Sequence, residues 1–206
     1  MAGDCCDCSL DIQRLQARQR RVLAIVLGIN ALTFLMVLAA SLYSGSSSLL
    51  SGGLDNLGDA LTYGLSLAVV GASTRAKARV ALFKAALILA AAIAVAAQIV
   101  WRSTHPAVPL LDTMSIAALA NLGANGLCLY LLTPYRHSDI NMASVWECSR
   151  NDVAEGLAVL AAAVGVWLFR SGWPDLVIAS ALLLMFLRSA LRVFRGALAE
   201  LPTRSG

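Results

Sequence analysis

Six long apolar stretches dominate this chain, and they limit the architectures that it can adopt. Each is about 20 residues or longer, which is the length that an α-helix needs to cross a bilayer. Only 14% of the 206 residues are charged, against about 25% in soluble domains. Barrel strands would alternate in hydrophobicity, and these stretches do not. The sequence therefore predicts an all-α membrane protein with six transmembrane helices, at about 22–44, 48–72, 80–101, 109–133, 142–169 and 174–196.

The distribution of positive charge predicts how this bundle lies in the membrane. With the N-terminus inside, nearly all Lys and Arg residues fall in cytoplasmic regions, whereas the outside loops hold only Arg102 and Arg170. The positive-inside rule then places both termini in the cytoplasm. We expect a cytoplasmic N-terminal tail at 1–21, a six-helix domain at 22–196 and a short cytoplasmic tail at 197–206. Topology also accounts for the net charge of +4, so no nucleic-acid partner is predicted.

The cysteines argue against a disulfide framework, because their count is odd and three of them stand close together in the N-terminal tail. Thiols of this kind are typical of a reducing compartment. Residues 1–21 are polar and lack the features of a cleavable signal peptide. Together with the short loops, this fits a multi-pass protein of a bacterial inner membrane. The five cysteines are Cys5, Cys6, Cys8, Cys128 and Cys148.

Two polar pairs interrupt the apolar stretches, and the spacing within each pair is the same. Asp55 and Asp59 lie in the second stretch, and Cys148 and Asp152 lie in the fifth. Residues four apart share one helix face. A helix rises 1.5 Å per residue, so each pair lies roughly 10–16 Å below the membrane surface from which its helix enters. The second helix enters from outside and the fifth from the cytoplasm. The two pairs therefore meet near the middle of the membrane if these helices pack together. Glycines on the second helix would permit that approach: Gly52, Gly53, Gly58 and Gly64.

These four side chains are good ligands for a divalent metal. Zinc takes four ligands drawn from Cys sulfur, His nitrogen and carboxylate oxygen. Three aspartates and one thiolate carry more negative charge than one divalent ion can neutralise. Unbalanced charge is costly inside a membrane. We therefore expect these ligands to hold protons when the metal is absent and to release them when it binds. Such competition is a physical basis for exchanging metal for protons.

At this point the sequence resembles the cation diffusion facilitators, which are six-helix exporters of divalent metals driven by proton antiport. The resemblance covers nearly the whole chain and is strongest in SSSLLSGGLDNLGDALTYGLSL and INMASVWECSRNDVAEGLAVL. It implies a metal site formed by Asp55, Asp59, Cys148 and Asp152. The position of Cys148 is most often His in the family, and the softer thiol favours zinc or cadmium. The family's C-terminal cytoplasmic domain is not seen, so membrane helices would have to hold any homodimer.

Other interpretations of the candidate ligands remain open. The aspartates could instead form internal salt bridges, for which Arg150 is the only cation near that depth, and Cys148 could be a small packing residue. Glu155 follows Asp152 on nearly the same stripe, so it is a candidate proton relay or alternate ligand, or it pairs with a polar group on a neighbouring helix. Glu147 is read as a charge at the cytoplasmic entrance.

Several further polar residues invite two interpretations each. Cys5, Cys6 and Cys8 either capture a soft metal for the transporter or belong to a disordered tail. His137 and Asp139 are candidates for a loading site. Arg150 and Asn151 are expected to face other helices, and the Arg188–Arg195 cluster to lie at anionic headgroups. Packing is expected for Cys128. The asparagines are expected to form interhelical hydrogen bonds, and a minor role beside the metal stays open for Asn56: Asn30, Asn56, Asn121 and Asn125.

The leading functional hypothesis is export of a divalent cation, Zn²⁺ first with Co²⁺ or Cd²⁺ as alternatives, by proton antiport through alternating access. The predicted partners are the metal, protons and the lipid bilayer, and no prosthetic group or covalent chemistry is needed. One alternative is a membrane metal-binding or sensor protein without transport. Another is a metal-dependent membrane phosphotransferase, although the acidic pairs lie deep and the arginines lie far from them.

Overall fold

The fold consists of six α-helices, in a computed structural model that describes residues 4–68, 74–137 and 140–200. A short 3₁₀ turn, Thr133–Tyr135, follows the fourth helix, and these described residues contain no β-strand. The predicted all-α class is confirmed. The helices are α1 (Asp4–Ser44), α2 (Ser47–Ala68), α3 (Thr74–Thr104), α4 (Leu111–Leu132), α5 (Ile140–Phe169) and α6 (Trp173–Glu200).

The helix boundaries follow the apolar stretches closely, with one large difference at the N-terminus. The α1 helix begins at Asp4, well before the apolar stretch at 22. The segment DIQRLQARQRR is rich in Gln and Arg, which are good helix formers, so the helix extends through polar sequence. The cytoplasmic location of 1–21 stays a prediction.

Three of the helices are long and apolar enough to cross a membrane within the described part of the chain: Ala17–Ser44, Leu111–Tyr135 and Cys148–Phe169. A shorter apolar helix covers Leu89–Thr104. The α2 helix is less apolar because serines and two aspartates interrupt it. A span count of six and the orientation of the termini therefore stay predictions.

The α2 helix lies at the centre of the bundle, where it contacts all five other helices. The predicted packing of α2 against α5 is confirmed. A Cβ added at Gly52 would lie 3.1 Å from Val159 of α5, and one at Gly53 would lie 3.1 Å from Val37 of α1. Glycine at these positions lets the backbones approach closely. The largest apolar cluster among the described residues joins α2 to α1, α4, α5 and α6, through Val37, Leu49, Met114, Val159, Val166 and Leu182.

A buried carboxylate joins the start of α2 to the start of α6. Asp175 is only 2% exposed. The Ser46 hydroxyl donates to its Oδ1 at 2.6 Å, the Ser48 hydroxyl does so at 2.6 Å, and the Ser48 amide does so at 3.1 Å. The Ser47 amide donates to Oδ2 at 2.7 Å. Asp175 therefore caps α2 from another helix, since these amides have no partner within α2. We call this group the Asp175–serine clamp.

Candidate metal centre

The acidic side chains of α2 and α5 meet inside the bundle. Asp152 is 7% exposed, and Asp55, Asp59 and Glu155 are partly buried. The carboxyl groups of Asp59 and Asp152 lie within hydrogen-bonding reach of each other. The carboxyl groups of Asp55 and Glu155 also lie within hydrogen-bonding reach of each other. A hydrogen bond between two carboxyl groups needs a proton on one of them, so this arrangement suits the protonated form of the site.

Cys148 is placed differently from the three aspartates. Its side chain is exposed, although it lies on α5 one turn before the buried Asp152. It is close enough to Tyr63 for an electrostatic interaction with the phenol. The structure therefore brings Asp55, Asp59 and Asp152 together and places Cys148 at the edge of that group.

Tyr63 is a member of the site that sequence reasoning missed. Its hydroxyl donates to Asp59 Oδ2 at 3.0 Å, and the side chain is 5% exposed. Tyr63 follows Asp59 by four residues on α2, so the same spacing that identified the aspartates could have identified it.

Glu155 pairs with Asp55 across the α2–α5 contact. In the described part of the chain, Asp55 Oδ2 and Glu155 Oε2 are buried without a hydrogen-bond partner. Of the interpretations left open for Glu155, the structure shows the pairing with a polar group on a neighbouring helix. Roles as a proton relay or alternate ligand stay predictions.

Asparagines surround the acidic residues and link the helices. Asn56 Nδ2 donates to Asn121 Oδ1 at 2.7 Å, which joins α2 to α4. Asn30 Nδ2 donates to the Val26 carbonyl at 3.0 Å and contacts Cys128 Sγ at 3.9 Å. The interhelical bonds predicted for Asn30, Asn56 and Asn121 are confirmed. Cys128 is buried at 1% exposure in an apolar cluster, so its predicted packing role is also confirmed.

Arg150 does not face another helix, and that prediction is wrong. Both Arg150 and Asn151 are exposed. The guanidinium of Arg150 lies 5.6 Å from the centre of the Trp146 ring, and that of Arg136 lies 5.9 Å from the same ring. The aromatic ring attracts these cations to the outer surface of α5, away from the buried carboxyl groups.

The remaining candidates are only partly described. His137 is exposed and accepts a hydrogen bond from Arg136 Nε at 3.0 Å, and Asp139 lies outside the described residues. The main chain at Cys5, Cys6 and Cys8 belongs to α1, but their side chains, like that of Glu147, are outside the description. Metal binding by this cysteine group stays a prediction.

A ready-made metal site is not found among the side chains that the structure describes. No three His, Cys, Asp or Glu side chains of that set are grouped so that they could hold an ion. The four-ligand set Asp55, Asp59, Cys148 and Asp152 therefore stays a prediction, and it requires side chains to rotate when a metal enters.

Comparison with known proteins identifies the family. No protein of curated function matches the chain. The model of the cation efflux transmembrane domain matches residues 23–201, which include all of the acidic side chains of the site and the Asp175–serine clamp. Because this match spans most of the sequence, the chain belongs to the cation efflux family, the cation diffusion facilitators.

Proposed function

We propose that this protein exports a divalent metal, Zn²⁺ first with Co²⁺ or Cd²⁺ as alternatives, in exchange for protons. Divalent cation transport is the activity of the family to which the chain belongs. One observation carries the proposal for this chain: the carboxyl groups of α2 and α5 lie in two close pairs inside an apolar bundle. Carboxyl groups buried within a membrane are costly, and they mark ion pathways.

The pairing also supports the exchange of metal for protons. Two carboxyl groups that share a hydrogen bond hold a proton between them, and a divalent ion must displace that proton to use the same oxygens. Entry of a metal from one side and of protons from the other would then be coupled by competition at one place. No covalent step is involved.

The ligands we propose are Asp55, Asp59, Cys148 and Asp152. The three aspartates supply hard oxygen atoms, and the cysteine supplies a soft sulfur, a combination that suits zinc. The exposed Cys148 would turn inward as the metal separates Asp59 from Asp152. Alternating access would then expose the site to each side in turn, within six transmembrane helices whose termini are cytoplasmic.

The test is zinc flux in proteoliposomes under an imposed pH gradient. Asp59→Asn and Asp152→Asn keep the side-chain volume and remove the ionisable oxygen, so each is expected to abolish flux. Asp112→Asn is the matched control, because Asp112 is an exposed residue in the first turn of α4. It is expected to transport like the native protein.

Three outcomes have different meanings. Flux that depends on the gradient and on both aspartates supports proton-coupled transport through this site. Flux that survives both substitutions moves the site elsewhere. Zinc binding by folded native protein without flux of zinc, cobalt or cadmium would replace transport with a sensor function.

A further inference from the structure

Two arginines gather around the Trp146 ring, close to Cys148, where the apolar span of α5 begins. The guanidinium of Arg136 lies 5.9 Å from the ring centre, and that of Arg150 lies 5.6 Å from it. Arg136 Nε also donates to His137 Nε2 at 3.0 Å. Neither contact brings a negative charge, and both arginines are exposed. Because like charges repel, an anion that contacts both guanidinium groups would be attracted to this place.

The Trp146 ring is a fixed platform for these cations. Its Nε1 donates to the Thr133 hydroxyl at 3.3 Å, which ties α5 to the 3₁₀ turn after α4. The ring also packs against the apolar cluster that contains Val26 and Leu132. Since both the polar and the apolar parts of the side chain are engaged, the ring keeps its orientation, and the cations that it attracts stay close to one place.

An open apolar groove of about 320 Å³ lies beside this platform. Thr133, which accepts the hydrogen bond from Trp146, is one of its lining residues, and Tyr135, another, directly precedes Arg136. An apolar groove next to two cations matches the two parts of a phospholipid, an acyl chain and a phosphate. The groove is lined by Val22, Tyr130, Leu131, Thr133, Pro134 and Tyr135.

We propose that this surface binds an anionic phospholipid, with Arg136 and Arg150 on the phosphate and an acyl chain in the groove. The planar fork of donors on arginine matches the geometry of a phosphate group, and basic pockets of membrane proteins bind anionic headgroups. More positive charge lies on α1 just before the groove, where three arginines are exposed: Arg18, Arg20 and Arg21. The inference goes beyond the proposed function, because it concerns a lipid ligand and does not depend on metal transport.

The test is thermal unfolding of the full chain in detergent, titrated with phosphatidylglycerol or with phosphatidylcholine that carries the same acyl chains. A ligand that binds only the folded protein raises Tm. Phosphatidylglycerol is expected to raise the Tm of the native protein more than phosphatidylcholine does, because the phosphatidylcholine headgroup has no net charge. Arg136→Gln and Arg150→Gln should each increase the half-maximal concentration of phosphatidylglycerol by about tenfold, the effect of losing one hydrogen bond to a charged group.

Arg170→Gln is the matched control. Arg170 is also exposed, and it follows the end of α5, roughly 30 Å from Arg150 along the helix at 1.5 Å per residue. Its substitution removes the same charge, so the half-maximal concentration of phosphatidylglycerol should stay at the native value. Inorganic phosphate at equal ionic strength tests whether a free anion is sufficient, and it is expected to leave Tm unchanged.

Four results would each overturn the lipid site. They are a native Tm that phosphatidylglycerol does not raise, equal effects of the two lipids, an equal loss of affinity in Arg150→Gln and Arg170→Gln, and an equal rise in Tm with inorganic phosphate. The outcomes are distinct from those of the proposed function. Native protein that binds phosphatidylglycerol as expected but moves no metal in proteoliposomes would overturn transport and leave the lipid site standing.

Discussion

The Asp175–serine clamp should make a measurable contribution to stability, and its size can be worked from the contacts. Asp175→Ala removes the acceptor of two backbone amides and two hydroxyls. The hydroxyls can rotate toward other acceptors, but the amides of Ser47 and Ser48 are fixed at the start of α2. A buried donor without a partner costs about 1–3 kcal/mol. The substitution should therefore destabilise the protein by about 2–6 kcal/mol.

A thermal-unfolding assay of purified protein in detergent measures this effect. One kcal/mol lowers Tm by roughly 2–4 °C in a protein of this size, so we expect Asp175→Ala to lower Tm by about 10 °C. Asp175→Asn keeps one carbonyl oxygen and should produce about half of that decrease. Asp112→Ala provides the matched control, because it removes an exposed aspartate from the first turn of α4. Its effect should be limited to a helix-dipole term of about 0.3–1 kcal/mol.

Two results would refute this reasoning. Equal decreases in Tm for Asp175→Ala and Asp112→Ala would mean that burial and the four hydrogen bonds add nothing beyond the helix dipole. An unchanged Tm for Asp175→Ala would mean that the amides at the start of α2 find other partners, such as water, at no cost.

Three further predictions concern packing, polar contacts and pH. Gly165→Ala would place a Cβ 2.7 Å from Pro174 and should destabilise by about 1–3 kcal/mol through overpacking, whereas Gly126→Ala meets nothing within 4 Å and should not lower Tm. Asn121→Leu leaves the buried Asn56 amide without its acceptor and should lower the free energy of unfolding, measured by denaturation, by about 1–3 kcal/mol. The double variant Asn56→Leu, Asn121→Leu should recover part of that loss, because it removes the unpaired donor as well. Zinc affinity measured by calorimetry should fall as pH is lowered, because protons compete for the paired carboxyl oxygens; an affinity independent of pH between 5 and 8 would contradict proton exchange.

Much of the architecture could be predicted because it depends on local spacing. The apolar stretches predict the helices, and the four-residue spacing of Asp55 and Asp59 places both on one face of α2. Glycines on that helix predict its close approach to neighbours, which the contacts of Gly52 and Gly53 confirm. These features follow from helix periodicity and from side-chain size, both of which the sequence displays directly.

The pairing within the site depended on contacts that spacing does not reveal. Asp55 lies 100 positions from Glu155 along the chain, and only the packing angle of α2 against α5 decides that these two side chains meet. Arg150 illustrates the opposite error. Its position in an apolar stretch suggested an interhelical partner, but the Trp146 ring on its own helix holds it at the outer surface.

The contrast between Asp175 and the α2–α5 carboxyl groups shows how identical chemistry is used in two ways. Asp175 was not a candidate in the sequence, yet its carboxylate accepts four hydrogen bonds, with donors to both of its oxygens. A carboxylate satisfied by fixed amides gains nothing from binding a metal, so its role is to hold helices together. Asp55 and Glu155 each retain a buried oxygen without a partner, which leaves free energy available to a proton or a cation. The number of hydrogen bonds to a buried acid, more than its depth, therefore separates a structural carboxylate from one that can bind an ion.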